Sequence, residues 1–90
     1  MSNYIYVFQG SGARLCTAVF SSMDKAEAWI KKYGLSGLLT KYPLNEGVYD
    51  WAIENHYFTP KNEQQKTPVF IQKFSSASLE HFHYESGERE

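Results

Sequence analysis

The sequence predicts an α+β fold: a mainly antiparallel four-stranded sheet with helices packed on one face, in the order β-β-α-β-α-α-β. Three observations carry this. Residues 3–9 are aromatic and β-branched almost throughout, residues 23–33 repeat apolar side chains at helical spacing, and residues 79–85 alternate.

The first strand, Asn3 to Gln9, is apolar on both sides. Tyr4, Tyr6 and Phe8 share one face and Ile5 and Val7 the other, the pattern of a central strand covered on both faces. Gly10-Ser11-Gly12 supplies a flexible turn, and Arg14 to Phe20 returns as the second strand of an antiparallel hairpin. Ser21 or Ser22 then caps the first helix, and Asp24 lies in the first turn, where the helix dipole favours a negative charge. Met23, Ala26, Trp29, Ile30 and Tyr33 form one apolar stripe, Lys31 and Lys32 occupy the last turn, and Gly34 stops the helix.

Leu35 to Tyr42 reads as a third strand ended by Pro43, followed by a turn at Asn45-Glu46-Gly47. Val48 to Tyr57 predicts a second helix, with Val48, Trp51, Ala52 and Asn55 at helical spacing. Residues 59–67 hold no large apolar side chain and read as an exposed loop. Pro68 to Phe74 fits either a helix entered through a Thr67 cap or a strand, and the helix is favoured. Ser75 to Ser78 breaks the chain, Leu79 to Glu85 forms the final strand, and Ser86 to Glu90 reads as a frayed polar tail.

Ninety residues make one domain, 1–90. A chain of this size buries roughly 60–65% of its unfolded surface, enough for one modest core. With 42% hydrophobic and 21% charged residues it is neither disordered nor membrane-like in composition. Seven Tyr, six Phe and two Trp are more aromatic rings than one small core needs, and the surplus points to a binding surface. Nine basic against ten acidic residues, for a net charge of −1, leave no basic stripe, so no nucleic-acid partner is expected. Cys16 is the single cysteine, which allows neither an intramolecular disulfide nor a thiolate metal cage and favours a reducing compartment. No basic residue precedes the short N-terminal apolar run, and no 18-residue apolar stretch follows. The expected location is the cytoplasm, with no membrane partner.

Candidate chemistry is sparse. His81, His83 and Glu85 share one face of a strand, a placement that suits either a divalent metal with His56 as a further ligand or a polar outer face opposite Phe82 and Tyr84. The Gly10-Ser11-Gly12 loop is followed by a strand, whereas phosphate loops lead into a helix, so it reads as a hairpin turn. Cys16 lies between Leu15 and Thr17 in the second strand, where it reads as a small buried hydrophobe. No spacing supports a catalytic triad. The expectation is a non-enzymatic protein without a cofactor.

The sharpest functional signal runs from Glu46 to Phe58. Glu46, Asp50 and Glu54 recur every four residues and line up along one helical ridge, where like charges are mildly destabilising. No Lys or Arg lies between Tyr42 and Lys61 to offset them. Tyr49, Trp51 and Tyr57 flank the ridge as candidate anchors. Acidic steering beside aromatic anchors is the composition of a surface that meets a basic partner, while the dipole alone also favours acids near a helix N-terminus.

Several strings carry a resemblance. They are Tyr4-Ile5-Tyr6-Val7-Phe8, Phe20-Ser21-Ser22, Ala28-Trp29-Ile30, Leu39-Thr40-Lys41-Tyr42-Pro43-Leu44, Gly47-Val48-Tyr49-Asp50-Trp51-Ala52-Ile53-Glu54-Asn55 and His81-Phe82-His83-Tyr84-Glu85. Together the chain resembles a family of small bacterial proteins known only as a domain of unknown function, and the string from Gly47 to Asn55 is the most specific part. The resemblance implies a single bacterial domain and brings no catalytic residues with it. Two functions are therefore expected as alternatives: a protein-binding module, such as an immunity protein or inhibitor of a basic partner, or a small-ligand or metal-binding domain using His81 and His83.

Overall fold

The computed structural model describes residues 3–90. Its packing divides the chain into two compact units, one ending at Leu44 and resumed by Leu79–Glu90, the other formed by Asn45–Ser78.

The first unit is a five-stranded antiparallel sheet with one helix. Its strands are β1 (Tyr4–Gly10), β2 (Ala18–Phe20), β3 (Gly37–Pro43), β4 (His81–Glu85) and β5 (Glu88–Arg89), in the spatial order β2-β1-β3-β4-β5. Helix α1 (Met23–Tyr33) follows β2. Ser22 caps it by accepting a hydrogen bond from the Lys25 amide, and Gly34 ends it in the left-handed conformation at φ 63. Both stops are local, which is why the sequence places them correctly.

Register fixes which residues meet α1. Phe8 lies opposite Leu39, Leu39 opposite Phe82, and Phe8 opposite Ala18 on its other side. Phe8, Ala26, Ile30, Leu39 and Tyr84 form the buried core, with Tyr6, Phe20, Trp29 and Phe82 packed against it. The Trp29 ring stands edge-on to Phe8 at 6.0 Å. Burying a side chain such as Phe8, Ile30 or Leu39 contributes about 1.5–3 kcal/mol each. The two glycines at the end of the β1–β3 pair, Gly10 and Gly37, face each other across the ladder and border the Phe8 ring.

The sheet departs from the expected four strands because the chain after Glu85 does not fray. Ser86 and Gly87 take φ of 50 and 87, the backbone of a type I′ turn, and reverse the chain into β5. The Gly87 amide donates to the Leu35 carbonyl at 2.8 Å and the Ser86 amide to the Ser36 hydroxyl at 2.9 Å. Arg89 pairs with Glu27 of α1 at 3.3 Å, and the Tyr84 hydroxyl donates to the same carboxylate at 2.7 Å. Burial, then that hydrogen bond, pushes the Tyr84 phenol well above its usual range.

Other boundaries move as well. The second strand keeps only its last three residues, so Cys16 is exposed and outside any strand rather than buried within one. Residues 11–17 leave the regular ladder and are tied to β1 by scattered bonds: the Thr17 amide donates to the Phe8 carbonyl at 2.9 Å, the Ala13 amide to the Gly10 carbonyl at 3.0 Å, and the Gln9 side-chain amide to the Ala13 carbonyl at 2.9 Å. Pro43 is the last residue of β3 rather than its stop, since its missing N–H costs nothing at a strand end.

The second unit is built on aromatic rings. It contains α2 (Val48–Glu54), a 3₁₀ turn at Glu63–Lys66 and α3 (Pro68–Ile71). Helix α2 is shorter than its apolar spacing suggests, because His56 turns left-handed at φ 64. The expected exposed loop at 59–67 contains the 3₁₀ turn, whose Gln65 amide donates to the Asn62 side chain at 3.1 Å. The helix reading of 68–74 holds over its first four residues, with Thr67 accepting from the Phe70 amide at 3.3 Å. Helices of four and seven residues are not stable alone, so side-chain packing must hold them. Tyr49, Phe58, Phe70 and Phe74 supply it: each of the four rings lies within 6.4 Å, centroid to centroid, of the other three. Much of the aromatic surplus in the composition is spent here.

Candidate functional site

Helix α2 positions the acidic ridge. Gly47 is its N-cap and contributes no side-chain cap, so the first-turn amides have no side chain from that residue to satisfy them. A side-chain atom on Gly47 would sit 3.5 Å from Asp50 Oδ2, which places that carboxylate beside the helix N-terminus, where the dipole favours it. One turn on, Glu54 closes the helix.

Glu46 precedes the helix, before its N-cap Gly47. A hydrogen bond with Glu54 is the largest cause raising the Glu46 carboxyl above its ordinary 4.5, followed by burial and then repulsion from Glu54 and Asp50. The ion pairs among the described residues are Lys41–Glu80, Lys66–Glu63 and Arg89–Glu27, so no cation is paired with Glu46, Asp50 or Glu54. Folding thus gathers these carboxylates at one place, with no counter-ion among the described residues.

The three aromatic candidates separate. Tyr49 belongs to the ring cluster, and its hydroxyl donates to the Gln65 carbonyl at 2.8 Å. Trp51 is 6% exposed, too little to serve as an accessible anchor. Tyr57 is 56% exposed, with its ring 5.3 Å from that of Trp51. Of the expected anchors Tyr57 is the exposed one, and of the acidic residues Asp50 and Glu54 are exposed and Glu46 half-buried. Sequence reasoning could not separate these rings, because the partners of Tyr49 include Phe70 and Phe74, more than twenty residues away.

The histidines lie on the face of β4 opposite Phe82 and Tyr84, as alternation requires. The His81 and His83 rings are 5.6 Å apart, and His81 Nδ1 is 2.8 Å from the Leu79 carbonyl oxygen. Among the described residues, Glu85 and His56 included, no three His, Cys, Asp or Glu side chains are grouped so as to hold a metal. In the glycine loop, the Ser11 amide donates to Ser36 and the Ala13 amide to Gly10, at 2.9 and 3.0 Å. Those amides are occupied within the fold, and the chain leads on to β2, not to a helix N-terminus. No helix among the described residues is long and apolar enough to cross a membrane.

No curated protein and no solved structure matches the chain. A family model described as a domain of unknown function, DUF7710, matches residues 5–90, and on that match the chain belongs to this family.

Proposed function

We propose that this protein is a non-enzymatic binding module for a basic protein partner, engaged through Glu46, Asp50 and Glu54 with Tyr57 beside them. In its most concrete form it is a bacterial, cytoplasmic immunity protein or inhibitor that covers a basic, nucleic-acid-cleaving or nucleotide-handling partner. One observation carries the reading. Three carboxylates, Glu46, Asp50 and Glu54, lie close enough for the last two to raise the Glu46 carboxyl above its ordinary value, and no lysine or arginine is paired with them. A solvated helix face needs no such concentration, and incoming lysines or arginines would relieve it. Such charges act mainly on encounter rate and partner choice, while a ring such as Tyr57 supplies apolar contact.

The test is affinity capture from host lysate by the wild-type protein and by Asp50→Lys/Glu54→Lys, with circular dichroism confirming that both fold. The expected result is one basic partner retained by the wild type and lost by the double variant, with capture weakening as salt is raised. Equal capture by the two proteins removes the ridge from the interface.

A further inference from the structure

The ring cluster of the second unit is open on one side. Val69, Phe70 and Phe74 form the apolar wall of a surface pocket of about 470 Å³, with Gln64, Lys73 and Ser75 on its rim. That volume lies within the roughly 300–1,000 Å³ range of small-molecule sites. The wall is preformed, because Phe70 and Phe74 are held 6.0 Å apart, centroid to centroid, and both pack on Tyr49 and Phe58. A ligand entering here does not have to order the rings first.

The rim is selective in charge. Thr67, which also lines the pocket, has its hydroxyl committed: it donates to the Gln64 carbonyl at 2.8 Å and accepts from the Phe70 amide. The nearby ion pair, Lys66 with Glu63, is internal to the 3₁₀ turn. Lys73 has no carboxylate partner among the described residues, and the Ser75 hydroxyl and Gln64 side-chain amide make no internal hydrogen bond there. The pocket therefore presents apolar aromatic surface, one unpaired ammonium and two neutral polar groups. A single lysine acts as a point charge and matches one negative charge; there is no arginine fork to grip a phosphate.

We propose that this pocket binds a small amphipathic carboxylate. Its flat apolar body lies against Phe70, Phe74 and Val69, and its carboxylate meets Lys73 Nζ, with Ser75 and Gln64 as neutral donors. This site uses none of the ridge residues and stands or falls independently of the proposed partner surface.

The experiment titrates 2-naphthoate, and separately the neutral 2-naphthalenemethanol, into the ¹⁵N-labelled protein and follows backbone amide shifts. Saturable shifts are expected at Val69, Phe70, Lys73 and Ser75, with the carboxylate binding up to about fivefold tighter than the alcohol, the upper end for an exposed ion pair. Lys73→Gln should erase that preference while leaving the alcohol's Kd and the rest of the spectrum unchanged. Non-saturating shifts, shifts centred elsewhere, or a preference that survives Lys73→Gln would each overturn the assignment.

Discussion

Gly10 and Gly37 are cross-strand partners at one end of the β1–β3 ladder, and replacing each by alanine should give opposite results. A methyl group on Gly37 would meet the Gln9 carbonyl oxygen and come within 2.8 Å of both Gly10 Cα and Phe8 Cζ. Ordinary contacts at such a carbon are 3.4–4 Å. Two of the three obstructing atoms are backbone, and the third belongs to a ring only 1% exposed, so none can move aside cheaply. Overpacking of this kind costs about 1–3 kcal/mol, and the backbone obstruction places Gly37→Ala near the upper end. For a domain of this length each kcal/mol corresponds to about 4–8 °C, so the melting temperature should fall by about 12–24 °C. At Gly10 the nearest atoms to the same methyl are 3.7 and 3.8 Å away, an ordinary contact. Gly10→Ala should therefore be neutral, or stabilising by up to about 1 kcal/mol through a less flexible unfolded chain. Thermal melts of the two variants, read by near-ultraviolet circular dichroism, decide the matter. A Gly37→Ala melt within 4 °C of wild type, or a Gly10→Ala loss equal to it, refutes the packing argument.

Two further outcomes concern titration. Glu46 has a folded-state pKa above its unfolded value, so ionising it opposes folding: its favourable contribution is complete below 4.5 and is lost as the pH rises through the raised value. Glu46→Gln should accordingly raise the melting temperature at pH 7, and the gain should close below pH 4.5 in parallel melts. Tyr84 is raised from 10.0, so the stability carried by its neutral form is complete below pH 10 and is lost only above it. In an ultraviolet phenolate titration one of the seven tyrosines should ionise late, coincident with alkaline unfolding, and Tyr84→Phe should abolish that late step.

Local signals were legible in the sequence. The ends of α1 follow from Ser22 and Gly34, and its stripe delivers Ala26 and Ile30 to the core. Of the expected ridge, only Asp50 and Glu54 lie within α2 at i, i+4; Glu46 stands before the N-cap Gly47, where helical spacing does not place it. What escaped depends on distant partners. Two-residue β5 carries no periodicity and exists because Gly87 and Arg89 meet Leu35 and Glu27 across more than fifty residues. The pocket wall rests on Phe70 and Phe74, which pattern alone reads as one stripe of an ambiguous segment, and whether Tyr49 or Tyr57 is the exposed ring depends on those same phenylalanines.

The strand order also bears on aggregation. The two outermost strands are the shortest in the sheet, Ala18–Phe20 at one side and Glu88–Arg89 at the other. A foreign strand recruited to either margin would find only two or three residues of template, and at β5 they are both charged. Recruitment by backbone pairing gains its strength from length, so the aromatic and β-branched β1, the segment most prone to cross-β stacking, sits inside the sheet, paired along its whole length with β3 and over Tyr6, Val7 and Phe8 with β2. Lengthening β2 into the irregular segment before it, where Leu15 is already 79% exposed, would remove that protection and give the sheet a sticky border.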